Sequence, residues 1–141
     1  MKSTDEIWNE VIHKLSEIDF PSENQTLNEG FLVFQYYSEL ESGGHEALLN
    51  WWNEYISEVG IATYINELTT IFNKIGAQDY AFILQKYGEE MWNTFMALEN
   101  GEIDEGPFYQ VIEKADEGYY SLNDKLQQLL ESYFVSIHNE I

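Results

Sequence analysis

Apolar residues recur every three or four positions along most of the chain, which is the spacing that places them on one face of an α-helix. The first such stripe runs from Ile7 to Ile18 and follows Ser3 and Glu6, which have the spacing of a capping box. Pro21 comes directly after the stripe and is expected to end the helix, because proline cannot continue the hydrogen-bond ladder. We therefore expect an α-helix between Ser3 and Pro21.

Glycines separate the apolar stripes that follow. The pattern predicts a helix over about 26–41 and a break at Gly43-Gly44, followed by two helices that stop near Gly60 and Gly76. Glycine just beyond a periodic segment is a helix-ending signal, because it adopts the left-handed conformation at little cost.

The C-terminal half continues the helical pattern with one clear interruption. Asp79 is placed to cap a fifth helix, and Gly88 either breaks that helix or weakens it. The acidic stretch 100–107 predicts a loop, a short helix is expected over 108–115, and a last helix over about 121–137. With no strand alternation, repeat or linker, the sequence predicts one all-α domain of six to eight helices.

The aromatic residues are expected mainly to pack in the core, since apolar stripes usually face inward. The adjacent pair Trp51-Trp52 is informative, because neighbouring residues on a helix point about 100° apart. One ring of the pair can therefore be buried while the other lies at the boundary. An exposed Trp51 would be a candidate anchor for a partner.

The charge balance changes the range of functions to consider. The chain has 26 acidic residues against six lysines and no arginine, a net charge of −20. Direct binding to nucleic acid or to an anionic membrane surface is disfavoured, because both depend on lysine and arginine. The absence of cysteine excludes disulfides and thiolate chemistry. No apolar run approaches the roughly 20 residues of a membrane span, and the early residues are acidic, so a cytoplasmic protein is expected.

Catalytic and metal-binding motifs are scarce. Glu10 and His13 have the E-x-x-H spacing of di-iron bundles, but those sites need a second such motif and two further glutamates. The expected role of His13 is therefore that of a surface residue. No nucleophile–base pair, phosphate-binding loop or metal motif is present, so we expect a protein without enzymatic activity, metal or other cofactor.

Acidic residues are concentrated between residues 89 and 117, with few lysines among them. This charge either keeps the protein soluble or imitates the phosphates of nucleic acid, attracting a basic DNA-binding protein. The candidate partner-binding residues are Glu89, Glu90, Glu99, Glu102, Asp104, Glu105, Asp116 and Glu117.

Two segments resemble the bacterial family that contains DNA mimic protein 19. Residues 27–37, LNEGFLVFQYY, are similar to that family's N-G-G-F … Q-Y-F signature, with Glu29 in place of the first glycine. Residues 112–137 contain ADEGYYSL and LLESY, similar to its L-D-x-x-Y-Y … L-L-x-x-Y pattern, with Ala115 in place of leucine. The resemblance covers roughly residues 20–138.

The resemblance implies an acidic, all-helical protein, with a homodimer among the possibilities, whose partner is a bacterial DNA-binding regulator bound in place of DNA. Within the first motif, Asn28 would cap a helix, Gly30 would allow close helix approach and Phe31 would pack. The leading hypothesis is a DNA mimic without enzymatic activity. The alternative is an immunity or antitoxin-like protein that covers the active site of a basic nuclease or other toxin.

Overall fold

The computed structural model describes residues 2–141, and within that range the chain forms α-helices and no β-strand. The helices are α1 (Thr4–Glu17), α2 (Gln25–Val59), α3 (Ile61–Lys74), α4 (Gln78–Glu99), α5 (Glu105–Tyr120) and α6 (Lys125–Ile137), followed by a 3₁₀ turn (His138–Glu140). The predicted all-α fold is confirmed. Helices α3, α4 and α5 pack in succession, α2 packs against α3, α5 and α6, and α1 lies on α6.

The first two helices begin at side-chain caps. The Ser3 hydroxyl accepts the backbone N–H of Glu6 at 3.2 Å, which confirms the predicted cap of α1. Helix α2 is capped by Asn24, whose side chain accepts the N–H of Leu27 at 3.1 Å. The expected cap at Asn28 is wrong, because the helix has already begun there. The Asn28 amide instead holds Ser22, accepting its N–H at 2.8 Å and donating to its carbonyl at 2.9 Å.

Helix α2 is bent sharply where the break is predicted. Gly43 has φ −160° and ψ 16°, and Gly44 has φ 72° and ψ −164°, both outside the helical range. The helix resumes at once, so the predicted break is confirmed as a kink without a loop. A β-carbon at Gly44 would lie 2.5 Å from Oδ2 of Asp116, in addition to the cost of the positive φ.

Helix α4 differs from expectation at two positions. It passes through Gly88 without a break, and a β-carbon there would lie 2.6 Å from Cδ1 of Ile65 on α3. The glycine therefore allows α3 and α4 to approach closely. Asp79 does not cap the helix, since Ala77 occupies the cap position. Asp79 lies in the first turn and pairs with Lys125 of α6 at 3.0 Å.

Helix α5 is longer at both ends than the predicted 108–115, and the loop before it is correspondingly shorter. Pro107 lies in its first turn, where a missing N–H costs nothing because no intrahelical acceptor is available. Helix α6 begins at Lys125, later than predicted. The turn before it contains Asn123 and Asp124, with φ of 51° and 60°.

The helices enclose one cluster of buried apolar side chains, to which all six contribute. Aromatic rings form much of it, and Tyr36, Phe72, Phe108 and Phe134 are almost completely buried. Within the described range, no helix is both long and apolar enough to cross a membrane.

Candidate partner-binding surface

The acidic residues lie almost entirely at the surface. Twenty of the 26 carboxylates are exposed, six are partly buried and none is fully buried. This follows from the high free-energy cost of moving an unpaired carboxylate out of water. The negative charge therefore lies at the protein surface, where solvent and binding partners can reach it, and not in the core.

The few lysines offset little of this charge. Three of the six form ion pairs at 2.8 to 3.0 Å: Lys2 with Glu10, Lys74 with Glu29 and Lys125 with Asp79. All three pairs are at least partly exposed, so each contributes modestly to stability.

The candidate carboxylates on α4 lie on two sides of that helix. Glu89 and Glu90 are exposed along a shallow groove that also contains Ile103 and Pro107. Glu99 lines a different groove, formed with Asn50, Asn53 and Ser57 on α2. The structure therefore does not bring these three residues onto one face.

The connection between α4 and α5 brings three further candidates close together. Glu102 and Asp104 lie in the loop, and Glu105 opens α5. All three are exposed, and none forms an ion pair with another described residue. The Glu102 N–H donates to the Ala97 carbonyl at 2.8 Å, which ties the loop to the end of α4. With Glu99, these carboxylates form the hairpin-tip cluster: Glu99, Glu102, Asp104 and Glu105.

The last two candidates are adjacent in sequence but have different surroundings. Glu117 is exposed on α5. The Asp116 side chain is only 23% exposed and points towards the α2 kink. Its Oδ1 accepts the backbone N–H of His45 at 2.9 Å and contacts His45 Nδ1 at 2.7 Å. Asp116 therefore already has an internal partner, unlike the other seven candidates.

His45 is the buried residue that the sequence interpretation did not identify. Its side chain is 0% exposed, and Nε2 lies 2.8 Å from the Tyr36 hydroxyl. Because the Asp116 carboxylate can only accept, Nδ1 is the donor in that contact, which leaves Nε2 to accept a hydrogen bond from the Tyr36 hydroxyl. The sequence does contain one indication that His45 is buried, since it lies three and four positions before Leu48 and Leu49 and therefore on the same apolar face of the helix.

Three tyrosines of α5 reinforce the contact with α2 on both sides of the kink. Their hydroxyls donate as follows: Tyr109 to Glu46 at 2.8 Å, Tyr119 to Glu41 at 3.0 Å and Tyr120 to the Leu40 carbonyl at 2.9 Å. Burial, together with the nearby Glu41 carboxylate, raises the pKa of the Tyr119 hydroxyl above its usual range. The kink is thus held by a polar junction of Tyr36, His45, Asp116, Tyr119 and Tyr120.

Glu10 and His13 bind different partners. The Glu10 carboxylate contacts Lys2 at 2.8 Å and His138 at 2.6 Å, and the hydrogen bonds from these two residues lower its pKa. His13 is exposed, as expected, and pairs with Glu17 at 2.6 Å. Across residues 2–141, no three histidine, aspartate or glutamate side chains converge in a way that could hold a metal ion.

The motifs that carry the family resemblance meet in this polar junction. Tyr36 comes from the first motif, whereas Asp116, Tyr119 and Tyr120 come from the second. Tyr36 and Asp116 both contact His45, Tyr36 packs against Tyr119, and Tyr119 packs against Tyr120. The motifs thus specify how α5 is attached to the kink.

Sequence comparison agrees with the resemblance. A family model for DMP19-like proteins matches residues 19–138, which include all of α2 to α6. No curated protein and no solved structure matches the chain significantly. Because the family match covers most of its length, the chain belongs to the DMP19-like protein family.

Proposed function

We propose that this protein is a DNA mimic without enzymatic activity, which binds the DNA-binding surface of a basic protein such as a transcription regulator. The observation that carries the proposal is the surface charge, since 20 exposed carboxylates are offset by only six lysines. Membership of the DMP19-like family supports the same role.

The helical scaffold supplies a physical basis for mimicry. Carboxylates three or four positions apart on a helix lie about 5–6 Å from each other. Duplex DNA carries one negative charge per about 1.7 Å of its axis, counting both strands. A rigid surface of several helices can therefore hold many carboxylates in a fixed, closely spaced array of negative charge, as the DNA backbone holds its phosphates. Such a surface accelerates association with a basic partner, and salt weakens that effect.

The function is tested by capture from a lysate of the source cell, with the tagged protein as bait and elution in a salt gradient. We expect a basic DNA-binding protein that elutes with salt and that duplex DNA displaces. A captured nuclease whose activity is blocked would instead support the immunity interpretation. Failure to retain any basic protein at low salt would contradict both.

The binding surface is tested by neutralising the hairpin-tip cluster with Glu→Gln and Asp→Asn changes at its four positions. A matched variant neutralises four exposed acids near the N-terminus: Asp5, Glu6, Asp19 and Glu23. Both variants change the net charge equally, so non-specific attraction falls equally in both. We expect the cluster variant to weaken binding to the captured protein by about tenfold, and the matched variant by much less. Equal weakening would contradict this placement of the surface.

A further inference from the structure

Trp51 is a large apolar side chain that the fold leaves in solvent. It is 61% exposed, whereas its neighbour Trp52 is 4% exposed and packs in the aromatic core. The pair thus divides between core and surface, as the helical geometry allows, with Trp52 buried and Trp51 exposed. Exposed tryptophans contribute little to folding, but they are enriched among residues that dominate binding energy at interfaces.

The surroundings of Trp51 are acidic and contain no cation on the same helix. Glu54 and Glu58 follow it by three and seven positions, so they lie on the same helical face, and both are exposed. Helix α2 contains no lysine or arginine. A basic group approaching Trp51 would therefore meet an aromatic ring with the Glu54 carboxylate one turn away, and Glu58 adds negative charge one turn further along the same face.

A groove runs beside this helical face. Asn50, Asn53 and Ser57 of α2 form one side, while Phe95, Met96 and Glu99 of α4 form the other. The groove thus combines apolar and polar side chains and includes Glu99, a member of the hairpin-tip cluster. It therefore links the segment of α2 that carries Trp51 to one carboxylate of the acidic tip.

We propose that this face binds an arginine-bearing helix of the basic partner, with Trp51 as its aromatic anchor. The proposal rests on the proposed function and specifies where and through which chemistry the partner is held. A planar guanidinium can stack on the indole ring while donating paired hydrogen bonds to Glu54, and Glu58 attracts a second cation one turn further along. Lysine can be attracted to the same face, but it lacks both the planar stacking and the forked donors.

Charge complementarity excludes a second copy of this chain as the occupant of this face. A second copy carries a net charge of −20 and no arginine, and three of its six lysines are already paired within the fold. Placing it here would bring like charges together with few cations to offset them, which is unfavourable.

The test uses two fluorescein-labelled helical peptides that carry either arginine or lysine along one face and alanine elsewhere. Their affinity for the full chain is measured by fluorescence anisotropy. The variants are Trp51→Ala and a matched control, Phe82→Ala. Phe82 is 59% exposed but has Lys86 beside it, 5.8 Å from the centre of its ring. Thermal unfolding of both variants checks that the fold is retained.

We expect the arginine peptide to bind more tightly than the lysine peptide. Trp51→Ala should weaken arginine-peptide binding by about tenfold or more and remove most of the preference for arginine. Phe82→Ala should change either affinity by less than about twofold, since a contact outside an interface contributes little. Equal effects of the two substitutions, equal binding of the two peptides by the wild-type chain, or no binding of either peptide would overturn the proposal.

The proposed function can survive such a failure, and the two results are distinguishable. If neutralising the hairpin-tip cluster weakens capture of the basic partner but Trp51→Ala does not, the protein still acts through its charge. The docking face would then lie away from Trp51.

Discussion

Replacing Asp116 by alanine tests whether this residue organises the α2 kink. The change removes an oxygen that accepts from both the backbone and the ring of His45, at 2.9 and 2.7 Å. A hydrogen bond to a charged group contributes about 1.5–3 kcal/mol. Because the carboxylate is 23% exposed, the lower part of that range applies, and the two bonds share one acceptor. We expect the free energy of unfolding to fall by about 2–4 kcal/mol.

The measurement is urea unfolding followed by far-ultraviolet circular dichroism, with extrapolation to zero urea. The matched control is Glu117→Ala, which removes the neighbouring exposed carboxylate and should change stability by less than about 0.5 kcal/mol. Asp116→Asn keeps an acceptor oxygen but loses the charge, so its loss should be about half as large. These comparisons separate the His45 contacts from a general change in surface charge.

A loss for Asp116→Ala no larger than that for Glu117→Ala would refute this reasoning. It would mean that water or a neighbouring group accepts the hydrogen bonds of His45 as well as Asp116 does. If Asp116→Ala instead weakens both stability and partner binding, whereas Glu117→Ala weakens only binding, Asp116 acts on the binding surface through the kink.

Three further predictions concern the core and the junction. Gly44→Ala should lower the free energy of unfolding in urea by at least about 2 kcal/mol, because an alanine there has a strained positive φ and its β-carbon clashes with Asp116. If the losses of Gly44→Ala and Asp116→Ala simply add in the double variant, the clash with Asp116 is absent. Above about pH 10, unfolding should become easier, because burial raises the pKa of Tyr36 and Tyr64 in the folded state while the unfolded chain releases those protons. For each buried tyrosine that stays protonated in the folded state, the free energy of unfolding should fall by about 1.4 kcal/mol per pH unit. Complete ionisation of all ten tyrosines in the folded protein near pH 10 would contradict this prediction. Phe134→Ala should cost about 3–5 kcal/mol, measured in the same way, because the ring is fully buried against Trp8; a loss below about 1 kcal/mol would show that the cavity collapses.

Much of the helical architecture follows from short-range signals in the sequence. The periodic stripes, the Ser3 cap and the helix-ending glycines act within a few residues, so they can be recognised without the rest of the chain. The predicted starts of α5 and α6 were less accurate. A proline in the first turn, as in α5, and a left-handed turn before the helix, as in α6, are each compatible with several starting residues. The surface position of most candidate acids also follows from the cost of burying charge.

The sequence by itself therefore determined the all-α class, the kink at Gly43-Gly44 and a strongly acidic surface. Only the tertiary structure decided that Asp116 points inward to His45, a contact between residues 71 positions apart. It also decided that Trp51 rather than Trp52 faces solvent, since that depends on the direction from which the other helices cover α2. Periodicity shows that a helix has an inner face, but the exact limits of that face depend on which distant segments pack against it.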